Sequence, residues 1–270
     1  MSKELDKFYT KPEVVLTCYQ QVGDLSQFDL VVEPSAGSGA FLLPNIPMKA
    51  YDIAPEDERI QKADYLQVLT PSIVTSNKKV LTVGNPPFGR NCSLALQFIK
   101  KAMEYSDTVA FVLPKSFKKV SIQNKVPLTF HLVSTLDLPP SSFLLDGQSY
   151  DVPCIFQVWK RGTTSRSKQA TRTTTDLFRF VKKNDEVLKP VLTVRRVGVY
   201  AGMAYPEVEK SEQSHYFIAL PENSPTSTSE FIRLCNSIVW EHDNTSGPRS
   251  ISKGELIDKM EALLTEAERV

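Results

Sequence analysis

Long apolar runs are absent from this chain: none approaches the roughly 20 residues that a membrane-spanning helix needs. The opening residues, Met1 to Asp6, are polar and charged, unlike a secretory signal. The expectation is an intracellular protein, cytoplasmic or nuclear, with no membrane partner. Cysteine is sparse. Cys18, Cys92, Cys154 and Cys235 are far apart, and no pair has the short spacing of a zinc or redox motif, so they read as scattered thiols. Histidine is sparser, with His131, His215 and His242 each isolated, and no metal site is expected. An excess charge of one sign is missing too: 32 basic against 31 acidic residues leave a formal net charge of +1. The chain as a whole does not advertise a polyanion binder, so any such contact must come from a local basic strip. There is no internal repeat.

What is present is a globular composition, 41% hydrophobic and 23% charged over 270 residues. That is enough for one large domain or a catalytic domain with an appendage. Pro12 can open a helix through Val14, Val15, Leu16 and Tyr19, because proline is tolerated in a first helical turn. Short β-rich runs follow at Leu30 to Glu33, Ala50 to Asp52, Val80 to Val83, Val109 to Leu113, Phe130 to Leu138 and Pro153 to Trp159. Leu94 to Tyr105 has the spacing of an amphipathic helix. Strands apolar on both faces and alternating with helices predict an α/β fold with an open, mostly parallel sheet. Ligands of such sheets bind beyond the carboxyl ends of the strands, where Glu33, Asp52 and Gly84-Asn85 fall.

Residues 161–176 are polar, basic and aperiodic, and read as a flexible linker or loop. Residues 1–160 then form a catalytic region, and 177–270 a smaller α+β appendage for substrate recognition. In the appendage, Leu177 to Val181, Val191 to Val199 and Tyr216 to Leu220 read as strands, and Ser229 to Trp240 and Gly254 to Glu268 as helices. Lys115, Lys118 and Lys119 read equally as phosphate contacts or solvated surface; for Arg161, Arg166, Lys168 and Arg172 an ordinary charged surface is the first reading and a backbone clamp the alternative.

Glu33-Pro34-Ser35-Ala36-Gly37-Ser38-Gly39 follows a strand, and its two glycines permit a tight turn and close backbone approach to a ligand. Leu42 stands where a dinucleotide fingerprint would place its third glycine, and no phosphate-loop lysine is present. Asp52, at the next strand end, can accept both hydroxyls of a ribose. Adenosine without a pyrophosphate suits this pattern, and S-adenosylmethionine is the common ligand of that description.

Asn85-Pro86-Pro87-Phe88 can be read as a rigid turn ending a strand. It also has the chemistry to activate a planar amine. The lone pair of such a nitrogen is delocalised, and two acceptors aimed at its N–H bonds would localise it. The Asn85 side-chain oxygen and the Pro86 carbonyl can supply them, since proline brings an acceptor without a donor. The proline angles hold both in place, and Phe88 offers a ring against which an extruded base can lie.

Taken in order, Phe8-Tyr9-Thr10-Lys11-Pro12, the Glu33 to Gly39 turn and Asn85-Pro86-Pro87-Phe88 resemble the motifs of amino-type adenine methyltransferases of DNA in their gamma arrangement, over about residues 6–160. The resemblance implies a Rossmann-like class I methyltransferase fold, S-adenosylmethionine as cofactor and a nucleic-acid substrate, DNA favoured over RNA. It places Tyr9 and Thr10 near the methionine part of the cofactor and Glu33 near its amino group. Pro34, Ser35, Ala36, Gly37 and Gly39 form the approach turn, Asp52 takes the ribose, Asp64 the cofactor's adenine, and Asn85, Pro86, Pro87 and Phe88 the reacting base. The stretch from Gly39 to Tyr51, broken by Pro44 and Pro47, leaves little room for the family's first helix. Methylation of RNA, methylation of a protein glutamine amide, and a catalytically inactive binding subunit remain alternative readings.

Overall fold

A computed structural model describes residues 8–73, 78–224, 226–240 and 249–267. The chain divides into two compact units, residues 1–169 and 170–270.

The first unit runs, in chain order, through β1 (Tyr9–Thr10), α1 (Pro12–Val22), β2 (Leu30–Glu33), β3 (Met48–Asp52), β4 (Gln61–Lys62), α2 (Thr70–Ile73) and β5 (Val80–Gly84). It continues with α3 (Ser93–Tyr105), β6 (Thr108–Pro114), α4 (Val120–Gln123), β7 (Phe130–Asp137), β8 (Phe143–Leu145), β9 (Gln148–Tyr150) and β10 (Cys154–Arg161). Seven strands form one sheet in the order β4-β3-β2-β5-β6-β10-β7. The β2, β3, β4, β5 and β6 pairings are parallel, and β10 runs antiparallel to both β6 and β7.

Every residue of β2, β5 and β6 is buried, which is why these strands read as continuous apolar runs. Alternate residues feed opposite faces. Val31, Leu81, Val83, Ala110 and Val112 pack with Val14, Val15, Cys18 and Tyr19 of α1. Leu30, Val32, Val80, Val109 and Phe111 pack with Ala95, Ile99 and Ala102 of α3. Pro12 opens α1, and Gly23 closes it at φ 88°, its N–H donating to the Tyr19 carbonyl at 3.1 Å.

Between β2 and β3 the chain runs through turns without a helix, as the prolines there lead one to expect. Phe41, 1% exposed, fills that space, and its carbonyl accepts from the Tyr19 hydroxyl at 2.5 Å. The chain passes from β2 outward to β3 and returns on the other side as β5. The adjacent carboxyl ends of β2 and β5 are therefore a topological switch point, where open α/β sheets place ligands. A second, three-stranded sheet, β1-β8-β9, stands apart from the first, with Thr10 paired to Phe143.

The second unit contains β11 (Arg179–Val181), β12 (Leu192–Arg195), β13 (Ala204–Tyr205), β14 (His215–Ala219), α5 (Thr228–Ser237) and α6 (Lys253–Ala267). Its antiparallel sheet has the order β11-β14-β12-β13. Phe178, Leu192, Val194 and Ile218 pack against Phe231, Leu256, Ile257 and Met260.

Two expectations need correction, and one alternative loses ground. The run from Val191 to Val199 stops being strand at Arg195, because Gly198 takes φ +95° and turns the chain. The helix expected to reach Trp240 ends at Ser237. The strip over 161–176 does not hold its arginines out as free clamps. Arg161 belongs to β10 and donates to the Ser106 carbonyl at 3.0 Å. Arg166 donates to the carbonyls of Phe130, Gln123 and Val126, and Arg172 pairs with Asp258 and Glu261. Lys115 and Lys118 likewise face Asp137. Cys18, Cys92, Cys154 and Cys235 are buried free thiols, while His242 and Glu268 lie outside the described residues. Among the described residues no helix is long and apolar enough to cross a membrane, and none group as a metal site.

Candidate active site

A cleft of about 510 Å3 opens at the carboxyl ends of β2 and β5. Its walls include Tyr9, Thr10, Glu33, Pro34, Ser35, Ala36, Gly37, Asp52, Asp64, Asn85, Pro86, Pro87 and Phe88. Every residue named from the sequence for the cofactor or the reacting base therefore lines it except Gly39, which lies further along the turn, while none of the candidate phosphate contacts does. Gly39 has φ +87°, and its N–H donates to the Ala36 carbonyl at 2.7 Å.

The glycine turn is held by Asp52. One carboxylate oxygen accepts from the Gly37 N–H and the other from the Ala54 N–H, each at 2.8 Å. A carboxylate has about four acceptor sites, so both oxygens retain lone pairs for a ligand. Gly37 is required twice: it has φ +54°, and a Cβ there would lie 2.7 Å from Cε1 of Tyr9. The Tyr9 hydroxyl reaches across to Glu56 Oε1 at 2.5 Å.

Glu33 is 1% exposed, and among the described residues its Oε2 has no hydrogen-bond partner. Burial, and secondarily the negative charge of Asp52, hold its carboxyl well above the usual carboxylate range. A buried carboxyl without a cation is costly unless a ligand supplies the partner. Gly84 leaves room for it, since a Cβ at that position would lie 3.2 Å from Glu33 Cγ.

Asn85 follows Gly84 directly. Its side-chain nitrogen donates to the Phe8 carbonyl at 3.2 Å and to the Thr10 hydroxyl oxygen at 3.3 Å. Both amide hydrogens are thereby spent, and the side-chain oxygen is the atom left to a ligand. The Asn85 main-chain carbonyl accepts from the Ser35 hydroxyl at 3.1 Å, tying the tetrapeptide to the glycine turn. The Phe88 carbonyl accepts from the Leu94 and Ala95 N–H groups at 3.2 Å, fixing the tetrapeptide to the start of α3. Gly89, Asn91 and Cys92 all have positive φ, a tight reversal between the tetrapeptide and that helix.

Asp64 caps a one-turn helix at Tyr65–Gln67 by accepting from the Leu66 N–H at 3.0 Å. Ile53, 48% exposed, follows Asp52 on the same wall. Ile53, Phe143 and Val152 were not singled out from the sequence. The first is an apolar residue beside a polar one. The other two come from the segment around β8 and β9, far along the chain. That hairpin had a local signal: Asp146-Gly147, at φ 49° and 77°, has the two positive φ angles of a tight β-turn.

Part of the chain, residues 43–149, matches a family model described as the EDM2 methyltransferase-like domain. No curated protein matches the chain. Among solved structures, a candidate RNA methyltransferase from Pyrococcus horikoshii is 16% identical, with 58% of this chain and 87% of that one covered at a TM-score of 0.43. The 23S rRNA methyltransferase ErmE is 14% identical, with 58% and 71% covered at 0.41. The M protein of the type I restriction enzyme EcoKI is 16% identical, with 60% and 45% covered at 0.38. Likenesses this distant carry no conclusion about activity. The sheet itself defines the architecture: parallel strands with a single antiparallel member next to the edge, and the cleft at the switch point. The first unit has an open α/β, Rossmann-like fold.

Proposed function

We propose that the first unit transfers a methyl group from S-adenosylmethionine to the exocyclic amine of adenine in a nucleic acid, DNA before RNA. The observation that carries this reading is the orientation of Asn85. With its amide hydrogens held by Phe8 and Thr10, its oxygen is presented as an acceptor at the end of β5.

The residues present fit a cationic adenosyl ligand. Glu33 is a buried carboxyl in want of a positive partner, Gly37 and Gly84 keep the floor open, and Asp52 retains acceptor capacity for ribose hydroxyls. Tyr9 and Thr10 would line the methionine end, Ser35 and Ala36 the turn, and Asp64 with Ile53 the adenine end. Bound there, S-adenosylmethionine supplies an electrophilic methyl on a sulfonium.

The chain's own work is done on the acceptor. Asn85 Oδ1 accepts one N–H of the amine, and the Pro86 carbonyl, to which no described residue donates, accepts the other. Accepting both draws the nitrogen lone pair out of conjugation and aims it along one line, at no cost of reorganisation because both acceptors are already fixed. Phe88 lies on the same wall to stack the base. Enzymes that methylate a protein glutamine amide resemble this chain in the Asn-Pro-Pro motif but usually carry tyrosine where Phe88 stands, and adenine is therefore the preferred reading.

The test is methyl transfer from labelled S-adenosylmethionine to separate pools of DNA, RNA and protein, with the product nucleoside or residue identified. N6-methyladenine is the expected product. Methylglutamine, or no product despite cofactor binding, would sink the assignment.

A further inference from the structure

The connection between β12 and β13 is short, tightly bonded and outward-facing. Arg195 N–H donates to the Met203 carbonyl at 2.8 Å and Gly202 N–H to the Arg195 carbonyl at 2.7 Å. Ala201 N–H donates to the Gly198 carbonyl at 2.9 Å, and Gly198 N–H to the Arg249 carbonyl at 2.8 Å. Gly198 and Gly202 take φ +95° and +101°, and Ala201 is buried beneath them. On top of this frame Val199 is 71% exposed and Tyr200 is 63% exposed. The backbone that carries the tyrosine is ordered before any partner arrives, which lowers the cost of binding.

The sequence through this connection is basic. From Val187 to Pro206 there is no acidic residue, while Lys189, Arg195 and Arg196 fall within that stretch. Arg249 joins them across the Gly198 hydrogen bond and is exposed. Arg195 donates through Nε to the Val197 carbonyl at 3.0 Å, and Arg196 lies over the Tyr216 ring at 5.4 Å. Among the described residues none of these three arginines is ion-paired to a carboxylate. Arg195 is positioned by a carbonyl and Arg196 by a ring, neither of which neutralises its charge.

We infer that the Gly198–Gly202 turn is a nucleic-acid contact, with Tyr200 stacking on an unpaired base while Arg195, Arg196 and Arg249 meet backbone phosphates. This rests on the nucleic-acid reading given above. An exposed aromatic set among arginines suits a single strand, because stacking accepts any base and the cations track the backbone. A neutral partner would gain nothing from the arginines.

The test titrates the full-length protein, without cofactor, against fluorescein-labelled single-stranded DNA, single-stranded RNA and duplex DNA by anisotropy. Tyr200→Ala should weaken single-strand affinity about tenfold or more, and Tyr200→Trp should retain it. Arg196→Gln should lower the slope of log affinity against log salt by about 0.7. Unchanged affinity in Tyr200→Ala overturns the proposal. So does loss of binding to phosphatidylserine vesicles by Tyr200→Ala with oligonucleotide affinity intact, since the turn would then be a membrane contact. The two readings fail separately. Methyl transfer that survives Asn85→Ala removes the cleft mechanism and leaves the turn standing. Unchanged strand binding by Tyr200→Ala in a protein that methylates DNA removes only the turn.

Discussion

The side-chain nitrogen of Asn85 lies 3.3 Å from the hydroxyl oxygen of Thr10, a bond that joins the end of β5 to a two-residue strand near the start of the chain. Thr10 is 3% exposed. Its hydroxyl therefore acts on the amide without competition from water, and it helps decide which end of the amide faces the cleft.

Thr10→Val keeps the shape of the side chain and removes the acceptor. Turnover should fall on the order of tenfold to a hundredfold as Asn85 loses its orientation, with the apparent substrate constant little changed. Thr10→Ser should restore most of the loss. Steady-state methyl transfer separates the two parameters, and equal activity in the valine variant would remove Thr10 from the mechanism.

Asn85→Ala should cut turnover by about a hundredfold or more, the scale for loss of one preorganised polar group at a transition state. Cofactor affinity should stay nearly intact in calorimetry. Phe88→Ala should instead raise the apparent substrate constant, since base–aromatic stacking is worth roughly 1–3 kcal/mol. Full methyl transfer by the Asn85→Ala protein would falsify the proposed chemistry.

Asp52 has two tasks, holding Gly37 and Ala54 and offering lone pairs to a ribose. Asp52→Ala should weaken S-adenosylmethionine binding at least tenfold, because hydrogen bonds to a charged group are worth about 1.5–3 kcal/mol each. Asp52→Asn keeps one acceptor oxygen and should fall between. Calorimetry on the three proteins checks the order, and an alanine variant that binds like the parent would move the ribose site to another carboxylate.

Glu33 gives a pH dependence of defined sign. Its folded carboxyl is held above the usual range, so the folded state keeps a proton that the unfolded state releases. Ligand-free stability should therefore fall as pH rises from about 4.3, the ordinary glutamate value, toward the raised folded value. Glu33→Gln should flatten that part of the Tm profile and weaken cofactor binding. A cationic ligand favours the ionised carboxylate. Its affinity should fall as pH drops below the folded value, and binding should release a proton measurable in buffers of different ionisation heat. Identical Tm profiles for the two proteins would show that the carboxyl is not titrating as its burial requires.

The sequence by itself determined the longer helices and the central strands of the first unit, and most of the residues that line the candidate cleft. Runs such as Leu30–Glu33 and Val80–Gly84 must be interior strands, because so many adjacent apolar residues have no solvent face to occupy. Glycine after such a strand, an acid at the next strand end and Asn-Pro-Pro after a third are local signals, and parallel packing brings their carboxyl ends together. Only the tertiary structure decided how those residues are aimed. The direction of the Asn85 amide depends on Thr10, and Gly37 must be glycine because of the Tyr9 ring; both partners come from β1. Phe143 reaches the cleft because β8 pairs with β1, a contact between distant segments that no local spacing encodes. The partners of the basic strip over 161–176 were illegible for the same reason. Composition reports how many cations a segment carries, whereas the carbonyls and carboxylates that engage Arg161, Arg166 and Arg172 come from elsewhere in the chain. Whether an arginine such as Arg195 or Arg196 meets a carboxylate, a carbonyl or a ring is likewise a property of the fold and not of the sequence.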